Sequence, residues 1–154
     1  MTDHRWSEAL ASLIRNTLAA FRPSVSGPIE ILAVDCQPWH GSVALAILTR
    51  EEVERDPALA APHEMAAWTH YDFQSGLAAW APADALLATM RADYDAAGAE
   101  RAAVATAYLR AAAAAATSPA VRDALNTFPL SSAFRVSVTH ADTGDEFAQP
   151  ESAR

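Results

Sequence analysis

The residues with the clearest capacity for chemistry lie between positions 30 and 72. Cys36 and His40 are four residues apart across a proline-containing turn. A nucleophilic cysteine needs a base in contact with it and a lowered thiol pKa, whereas a buried cysteine usually acts as an inert apolar side chain. The second interpretation is favoured, because no CxxC pair accompanies the two residues and a metal site would need further ligands.

A histidine-containing stretch follows. His63-Glu64 and His70 invite comparison with the zinc motif HExxH, in which the two histidines lie one helical turn apart on one face. Here the histidines are seven residues apart, with a predicted helix end between them, so the spacing does not fit. The five histidines and the carboxylates could still converge in space, but unspaced ligands are weak evidence for a site. We therefore expect no metal and no cofactor.

Carboxylates near predicted strand ends are the third candidate group. Glu30, Asp35 and Asp72 could pair for general acid–base catalysis, although most carboxylates in such places face water. The chain contains no GxGxxG, GxxxxGK[ST] or GxSxG sequence, so the common phosphate-binding loops and the nucleophile elbow are absent. The sequence thus assigns no catalytic residue.

Tryptophans are numerous for this length, at positions 6, 39, 68 and 80. Trp39 sits in a predicted hairpin turn beside His40, where an exposed tryptophan would anchor a binding partner. The alternative is that Trp39 folds back over the end of the sheet, because large aromatic side chains are seldom left bare. The predicted binding residues are Asp35, Trp39, His40, Trp68 and Tyr71.

The elements that must position these residues are organised around a hairpin. Residues 29–36 and 43–48 are apolar at nearly every position and rich in β-branched side chains, which predicts strands covered on both faces. Between them, Pro38 fixes the backbone φ angle and Gly41 can adopt a positive φ, as turns often require. The residues predicted to be almost wholly buried are Ile31, Val34, Leu45 and Ile47.

Helical patterns surround the hairpin. Residues 3–21 carry apolar side chains every three or four positions, with Thr2 or Asp3 as the cap. Thr49 and Glu52 match a capping box for a short helix. Residues 68–73 alternate and are either a third strand or an ordered loop. Further helices are predicted over 62–67, 82–98, 99–116 and 119–126, and a half-buried strand over 133–140.

The order of helix, hairpin, helical region and strand predicts an α+β fold. We expect an antiparallel sheet of three or four strands, built on the central hairpin and packed with helices. A chain of 154 residues is long enough to bury one core. We assign a single domain to residues 1–141 and a polar C-terminal tail to residues 142–154.

Charge and composition restrict the expected partners. The net charge is −8 and the chain has no lysine, which argues against a nucleic-acid partner and is compatible with a basic protein partner. No apolar run approaches the roughly 18 residues of a membrane span, and the N-terminus lacks the features of a secretory signal. A single cysteine fits a reducing compartment, so we expect a cytoplasmic location and no membrane partner.

Three features together carry a resemblance: the amphipathic helix, the hairpin that ends in the Thr49–Glu52 cap, and the aromatic stretch Trp68–Phe73. Their arrangement over residues 3–97 resembles uncharacterised bacterial families, some of whose members are encoded beside polymorphic toxins and look like immunity proteins. The resemblance is architectural. It implies a small acidic cytoplasmic protein whose work is binding, and it assigns no role to any single residue.

Three hypotheses for the function follow. The first is a non-enzymatic domain that binds another protein, as an immunity or regulatory partner. The second is a small-molecule or metal-dependent enzyme that uses histidine and carboxylate groups around residues 35–72. The third is a structural homo-oligomer. A deep pocket would favour the enzyme if it held three of Asp35, His40, His63, His70 and Asp72.

The helix predicted over 99–116 suggests a homodimer. It has high helix propensity but few large apolar side chains, and Ala103, Ala107 and Ala111 recur every four residues, which would let two copies approach closely. The rival explanation is that the alanines pack against the protein's own sheet or face solvent. If two copies pack here, Ala107→Arg should convert a dimer into a monomer in light scattering. A wild-type protein that is monomeric at high concentration would contradict this.

Overall fold

The structure is a computed structural model and describes residues 4–148. Thr2 and Asp3, the predicted caps of the first helix, and residues 149–154 lie outside this range. The helices are α1 (His4–Phe21), α2 (Arg50–Arg55), α3 (Ala83–Ala96), α4 (Arg101–Ala116) and α5 (Pro119–Leu125), and the strands are β1 (Ile29–Gln37), β2 (Ser42–Thr49) and β3 (Leu130–Ser137). The predicted α+β class is confirmed. Within the described range, every helix is too short or too polar to cross a bilayer.

The strands form one mixed sheet in the order β2-β1-β3. β1 and β2 pair antiparallel, as the hairpin pattern predicts. β3 runs parallel to β1, so the prediction of an all-antiparallel sheet is wrong. The reason lies in the path of the chain: Ile29 is opposite both Thr49, where β2 ends, and Leu130, where β3 begins. A strand that enters at this end of the sheet must run in the direction of β1.

The two faces of the hairpin are buried in different cores. The main core lies between the sheet and the helices, and its strand residues include Leu32, Val34, Leu45 and Ile47. The outer core lies on the opposite face, under the 3-10 turns Pro57–Ala60 and Pro62–Ala67, and contains Ile31, Ala33, Ala46, Leu48 and Trp68. The four predicted core residues are at most 2% exposed, which confirms that prediction and explains why both strands are apolar on both faces.

A β-bulge interrupts the alternation at the start of β1, between Ile29 and Ile31. Simple alternation would place these two residues on one face, but Ile29 joins the main core and Ile31 joins the outer core. Glu30 between them is buried, and its carboxylate accepts hydrogen bonds from the Ser131 hydroxyl and from Arg50 Nη1. The bulge thus changes the direction of side chains within one strand.

The alanine-rich helix α4 packs within the chain. Its buried residues, which include Ala105, Leu109 and Ala112, lie on the side that contacts α1 and β1. Small side chains allow these layers to approach closely, which supports the rival explanation for the alanine pattern. Of the proposed dimer seam, Ala103 is exposed, and Ala107 is half-buried. The homodimer prediction therefore remains only for the face of α4 that points away from α1 and β1.

The described part of the predicted tail, residues 142–148, folds back beside β3. The backbone N–H of Phe147 donates to the carbonyl of Val138 at 2.8 Å. The Phe147 ring packs against the main core, and Ala148 is buried. Phe147 thus holds this otherwise polar segment against the sheet. The remaining residues of the predicted tail, 149–154, lie outside the described range.

Leu45 lies at the centre of the main core and provides a test of it. Leu45→Ala should lower the free energy of unfolding by about 2–5 kcal/mol, because the lost side chain leaves a cavity between packed layers. Urea denaturation measures this change. Ser42→Ala, at an exposed position of the same strand, is the control and should stay within about 0.5 kcal/mol. A Leu45→Ala effect as small as the control would contradict the burial of β2.

Candidate functional site

The outer edge of β2 is closed by a loop. The backbone N–H of Ile47 donates to the carbonyl of His70 at 3.1 Å, and the N–H of Phe73 donates to the carbonyl of Leu45 at 3.2 Å. The contact between Ile47 and His70 is an isolated bridge. Of the two alternatives for residues 68–73, the structure therefore contains the ordered loop, which satisfies part of the edge without forming a fourth strand.

The side chain of Gln74 completes this edge. Its Oε1 accepts a hydrogen bond from the N–H of Leu45 at 2.8 Å, and its Nε2 donates to the carbonyl of Val43 at 3.3 Å. A primary amide carries the same donor and acceptor as a peptide group, so Gln74 replaces one peptide unit of a missing strand. Nε2 also donates to Asp72 Oδ1 at 2.6 Å. Gln74 is buried, and the edge closure thereby fixes the Asp72 carboxylate.

Asp72 has a left-handed backbone with φ of 57°. Most side chains disfavour this region, but aspartate and asparagine tolerate it comparatively well. The turn in the chain at Asp72 separates Tyr71, on the outer-core side, from Phe73, which belongs to the main core. The loop therefore delivers one aromatic side chain to each face of the sheet.

A pocket of about 420 Å³ lies at the turn end of the hairpin, where this loop meets β1 and β2. We call it the carboxylate pocket; its lining includes Asp35, Gln37, Tyr71, Asp72, Gln74 and Trp80. Asp35 projects from β1 and accepts hydrogen bonds from Gln37 Nε2 at 3.1 and 2.9 Å and from the Tyr71 hydroxyl at 3.3 Å. Neutral donors thus hold the Asp35 carboxylate.

No basic side chain of the described residues compensates the charge of the carboxylate pocket. Among residues 4–148, its lining contains two carboxylates, those of Asp35 and Asp72, and no arginine or histidine. Within residues 4–148, neither carboxylate forms an ion pair. Burial, the charge of Asp35, the hydrogen bond to Asp35 and the charge of Asp72 all raise the pKa of Tyr71. The Tyr71 hydroxyl therefore keeps its proton at neutral pH and acts as a donor.

Of the predicted binding residues, Asp35 and Tyr71 meet in the carboxylate pocket. Trp39 and His40 lie in the adjacent hairpin turn. The Trp39 ring is half-buried, 5.1 Å from the ring of His140, and the Trp39 carbonyl accepts a hydrogen bond from Arg91 Nη1 at 2.7 Å. This geometry agrees with the alternative in which Trp39 folds back over the end of the sheet, while His40 remains exposed.

The hairpin turn is fixed against α3 by Gly41. Its φ is +63°, and a Cβ at this position would lie 2.7 Å from the Cβ of Arg91. Both the conformation and the close approach require glycine. The turn beside the carboxylate pocket is therefore held in one place.

Trp68 lies in the outer core. It is 4% exposed and donates from Nε1 to the carbonyl of Leu59 at 2.7 Å. The structure does not bring it to the carboxylate pocket.

The remaining chemical candidates are dispersed. Cys36 is buried beside Met90, with 3.7 Å between the two sulfurs, and burial, followed by the charge of Asp35, raises the pKa of its thiol far above the usual range. It is therefore an unreactive thiol. The exposed His63 contacts Glu64, and the His70 ring packs edge-on against Phe21. Across residues 4–148, no three His, Cys, Asp or Glu side chains are grouped to hold a metal ion.

Among the residues that line the carboxylate pocket, sequence reasoning did not identify Gln37, Gln74 or Trp80. Trp80 was recognisable only as one of four tryptophans. The role of Gln74 depends on contact with a strand about 30 residues earlier in the chain, which no local pattern records. Gln37, two residues after Asp35 on the same side of a strand, is the one neighbour that the period of a strand could have identified.

Comparison with known proteins adds no assignment. No protein-family model matches this chain, and neither a curated protein nor a solved structure matches it.

Glu52 anchors the loop that carries Tyr71 and Asp72. Its carboxylate accepts hydrogen bonds from the N–H and hydroxyl of Thr49, at 3.0 and 2.9 Å, and from the N–H of Thr69 at 2.9 Å. The Thr49 side chain accepts in return from the Glu52 N–H, which confirms the predicted capping box. Burial by itself would raise the pKa of Glu52, but the hydrogen bonds from Thr69 and Thr49 lower it more, and the net direction is downward.

The contribution of Glu52 to the free energy of unfolding should depend on pH. Glu52→Gln should lower the free energy of unfolding at pH 7 by about 1–3 kcal/mol, because buried donors lose an ionised acceptor. A lowered pKa in the folded state means that the stabilisation is complete above the ordinary glutamate value, and is lost as pH falls through the lowered one. The difference between variant and wild type should shrink below about pH 4.3. Urea denaturation across pH measures it, with the exposed Glu51→Gln as control. A pH-independent difference would contradict the role of the charge.

Proposed function

We propose that this protein is a non-enzymatic binding domain whose carboxylate pocket receives a basic side chain of a partner protein. The observation that carries the proposal is that Asp35 and Asp72 line one concave site in which the described part of the chain places no basic side chain. A lysine ammonium or an arginine guanidinium would supply the countercharge. Arginine suits the site better, because its planar group can hydrogen-bond two carboxylate oxygens at once.

The walls of the carboxylate pocket also suit such a side chain. Trp80 and Leu87 line the pocket together with Tyr71. The aliphatic stem of an arginine or lysine can pack against apolar walls while its charged end meets the carboxylates. An aromatic ring near a cation contributes further attraction. A pocket of about 420 Å³ falls within the size range of specific ligand sites.

The charge of the whole chain supports the same partner. A net charge of −8 attracts a basic protein over a distance and raises the rate of encounter. We propose that the domain acts in the cytoplasm as an immunity or regulatory protein. This biological setting rests on the acidic composition and on the architectural resemblance.

The enzyme alternative has less support from the geometry. The enzyme hypothesis requires one deep pocket that holds three of Asp35, His40, His63, His70 and Asp72. The carboxylate pocket contains the two aspartates, whereas the three histidines do not line it. Gln37 contacts both oxygens of Asp35. The arrangement suits recognition of a cation better than proton transfer to a substrate.

Asp72→Asn tests the proposed recognition with little change of shape. Asparagine tolerates the left-handed backbone, and its Oδ1 can still accept the hydrogen bond from Gln74. We expect the variant to bind a fluorescein-labelled peptide, Gly-Arg-Gly-Arg-Gly, about three- to tenfold more weakly than wild type, because one countercharge is lost. Fluorescence anisotropy at near-physiological ionic strength measures the affinity.

The matched control is Asp123→Asn, which removes the same charge from an exposed position of α5, outside the pocket lining. It should leave the affinity almost unchanged. Equal weakening by both variants would mean that the peptide responds to net charge alone. That result, or a wild-type protein that does not bind the peptide, would contradict the proposal.

A further inference from the structure

The sheet has a second edge, formed by β3, which residues 4–148 do not close as they close the edge of β2. The described contacts on its outer side lie just beyond its C-terminal end: Val138 N–H donates to Glu146 Oε1 at 2.7 Å, and the Val138 carbonyl accepts from Phe147 N–H at 2.8 Å. Peptide groups alternate in direction along a strand. The N–H and C=O of Val136 therefore point the same way as those of Val138, away from β1, and no residue within 4–148 is paired with β3 on that side.

A cavity of about 660 Å³ runs beside this edge, between β3 and the helices α4 and α5. We call it the edge groove. Its apolar lining includes Leu125, Leu130, Phe134, Val136, Phe147 and Ala148. Phe134 and Val136 are only half-buried, although they belong to the layer that packs against the main core. The edge groove therefore offers apolar surface directly beside open backbone groups.

The rim of the edge groove is positively charged. Arg110 on α4 and Arg122 on α5 border it, and its lining within residues 4–148 contains no acidic side chain. Arg135 also borders it. Arg122 and Arg135 both have partners within the protein, Arg135 through the hydrogen bond that its Nη2 donates to the carbonyl of Ala60 at 3.0 Å. The exposed Arg110 is therefore the rim charge best placed for a carboxylate of a partner. The local charge is thus opposite to the net charge of −8 for the whole chain.

We propose that the open edge of β3 and the edge groove bind an extended segment of a partner protein that combines apolar side chains with carboxylates. The segment pairs with β3 as an added strand. Its apolar side chains, two residues apart, point into the edge groove, because alternate residues of a strand share one face. Charge complementarity with Arg110 selects a carboxylate at a flanking position of that face. This surface is separate from the carboxylate pocket and has the opposite charge preference.

The chain itself contains a competing segment. Residues 149–154 follow Ala148, which borders the edge groove, and their sequence is Gln-Pro-Glu-Ser-Ala-Arg. This segment has one carboxylate side chain but no large apolar side chain for the floor of the groove. A partner segment with spaced valines or similar residues satisfies both requirements.

The test uses the full chain and a fluorescein-labelled probe peptide, Glu-Thr-Val-Thr-Val-Thr-Glu, which places two valines and two glutamates on one face. We expect saturable binding in fluorescence anisotropy. Arg110→Gln should weaken it about two- to fivefold, as expected for a partly exposed charge pair. Arg101→Gln, on the same helix but outside the groove lining, should not. Circular dichroism confirms that both variants are folded.

Two altered peptides separate the parts of the proposal. Lys-Thr-Val-Thr-Val-Thr-Lys keeps the valines and reverses the charge, and Glu-Thr-Val-Pro-Val-Thr-Glu disrupts strand pairing because proline lacks the N–H. Both should bind at least about fivefold more weakly than the probe. Equal binding of all three peptides, or no binding of the probe, would overturn the proposal.

Two further outcomes would assign the groove to another occupant and would likewise overturn the proposal. The first is that a chain ending at Ala148 binds the probe while the full chain does not, which would identify residues 149–154 as the occupant. The second is dimerisation of the wild type that the probe reverses, which would identify a second copy. Asp72→Asn should leave probe binding unchanged, so this test and that of the carboxylate pocket fail independently.

Discussion

The closure of the outer edge of β2 is the constraint on which the candidate site depends. An edge strand exposes N–H and C=O groups that need hydrogen-bonding partners, and an open edge is prone to aggregation. The segment 70–74 satisfies this edge through the backbone of His70 and Phe73 and through the side chain of Gln74. Because Gln74 bonds both the edge and Asp72, the contact that completes the sheet also places a carboxylate.

The two edges of the sheet are consequently different in chemistry. Beside β2, the loop brings Tyr71 and Asp72 to Asp35 and creates a concave acidic site. Beside β3, the flank is apolar and bordered by arginines. The sheet thus has an acidic pocket beside one edge and a groove bordered by arginines beside the other. The two sites can serve as separate recognition surfaces of opposite charge.

Features determined by local pattern were predictable from the sequence. Two runs of apolar, β-branched residues around a turn with Pro38 and Gly41 identified the hairpin. The spacing of Thr49 and Glu52 identified the capping box, and both patterns act between near neighbours. The direction of β3 depends on where the chain re-enters the sheet after roughly 80 residues of helix and turn, which no local signal encodes. Asp35 was identifiable from its place near a strand end. That Asp35 and Asp72 line the same pocket depends on the long-range contacts of Gln74. The pocket could therefore be found only in the structure.

The central claim is that the Gln74 side chain closes the edge of β2, and hydrogen exchange of the Leu45 amide tests it most directly. NMR should show slow exchange of this amide in the wild type. In Gln74→Met, which keeps the size of the side chain but removes the acceptor, the Leu45 amide should exchange at least about tenfold faster, while the amide of Leu32 in the central strand changes little. Fast exchange of Leu45 in the wild type, or unchanged exchange in the variant, would contradict the account.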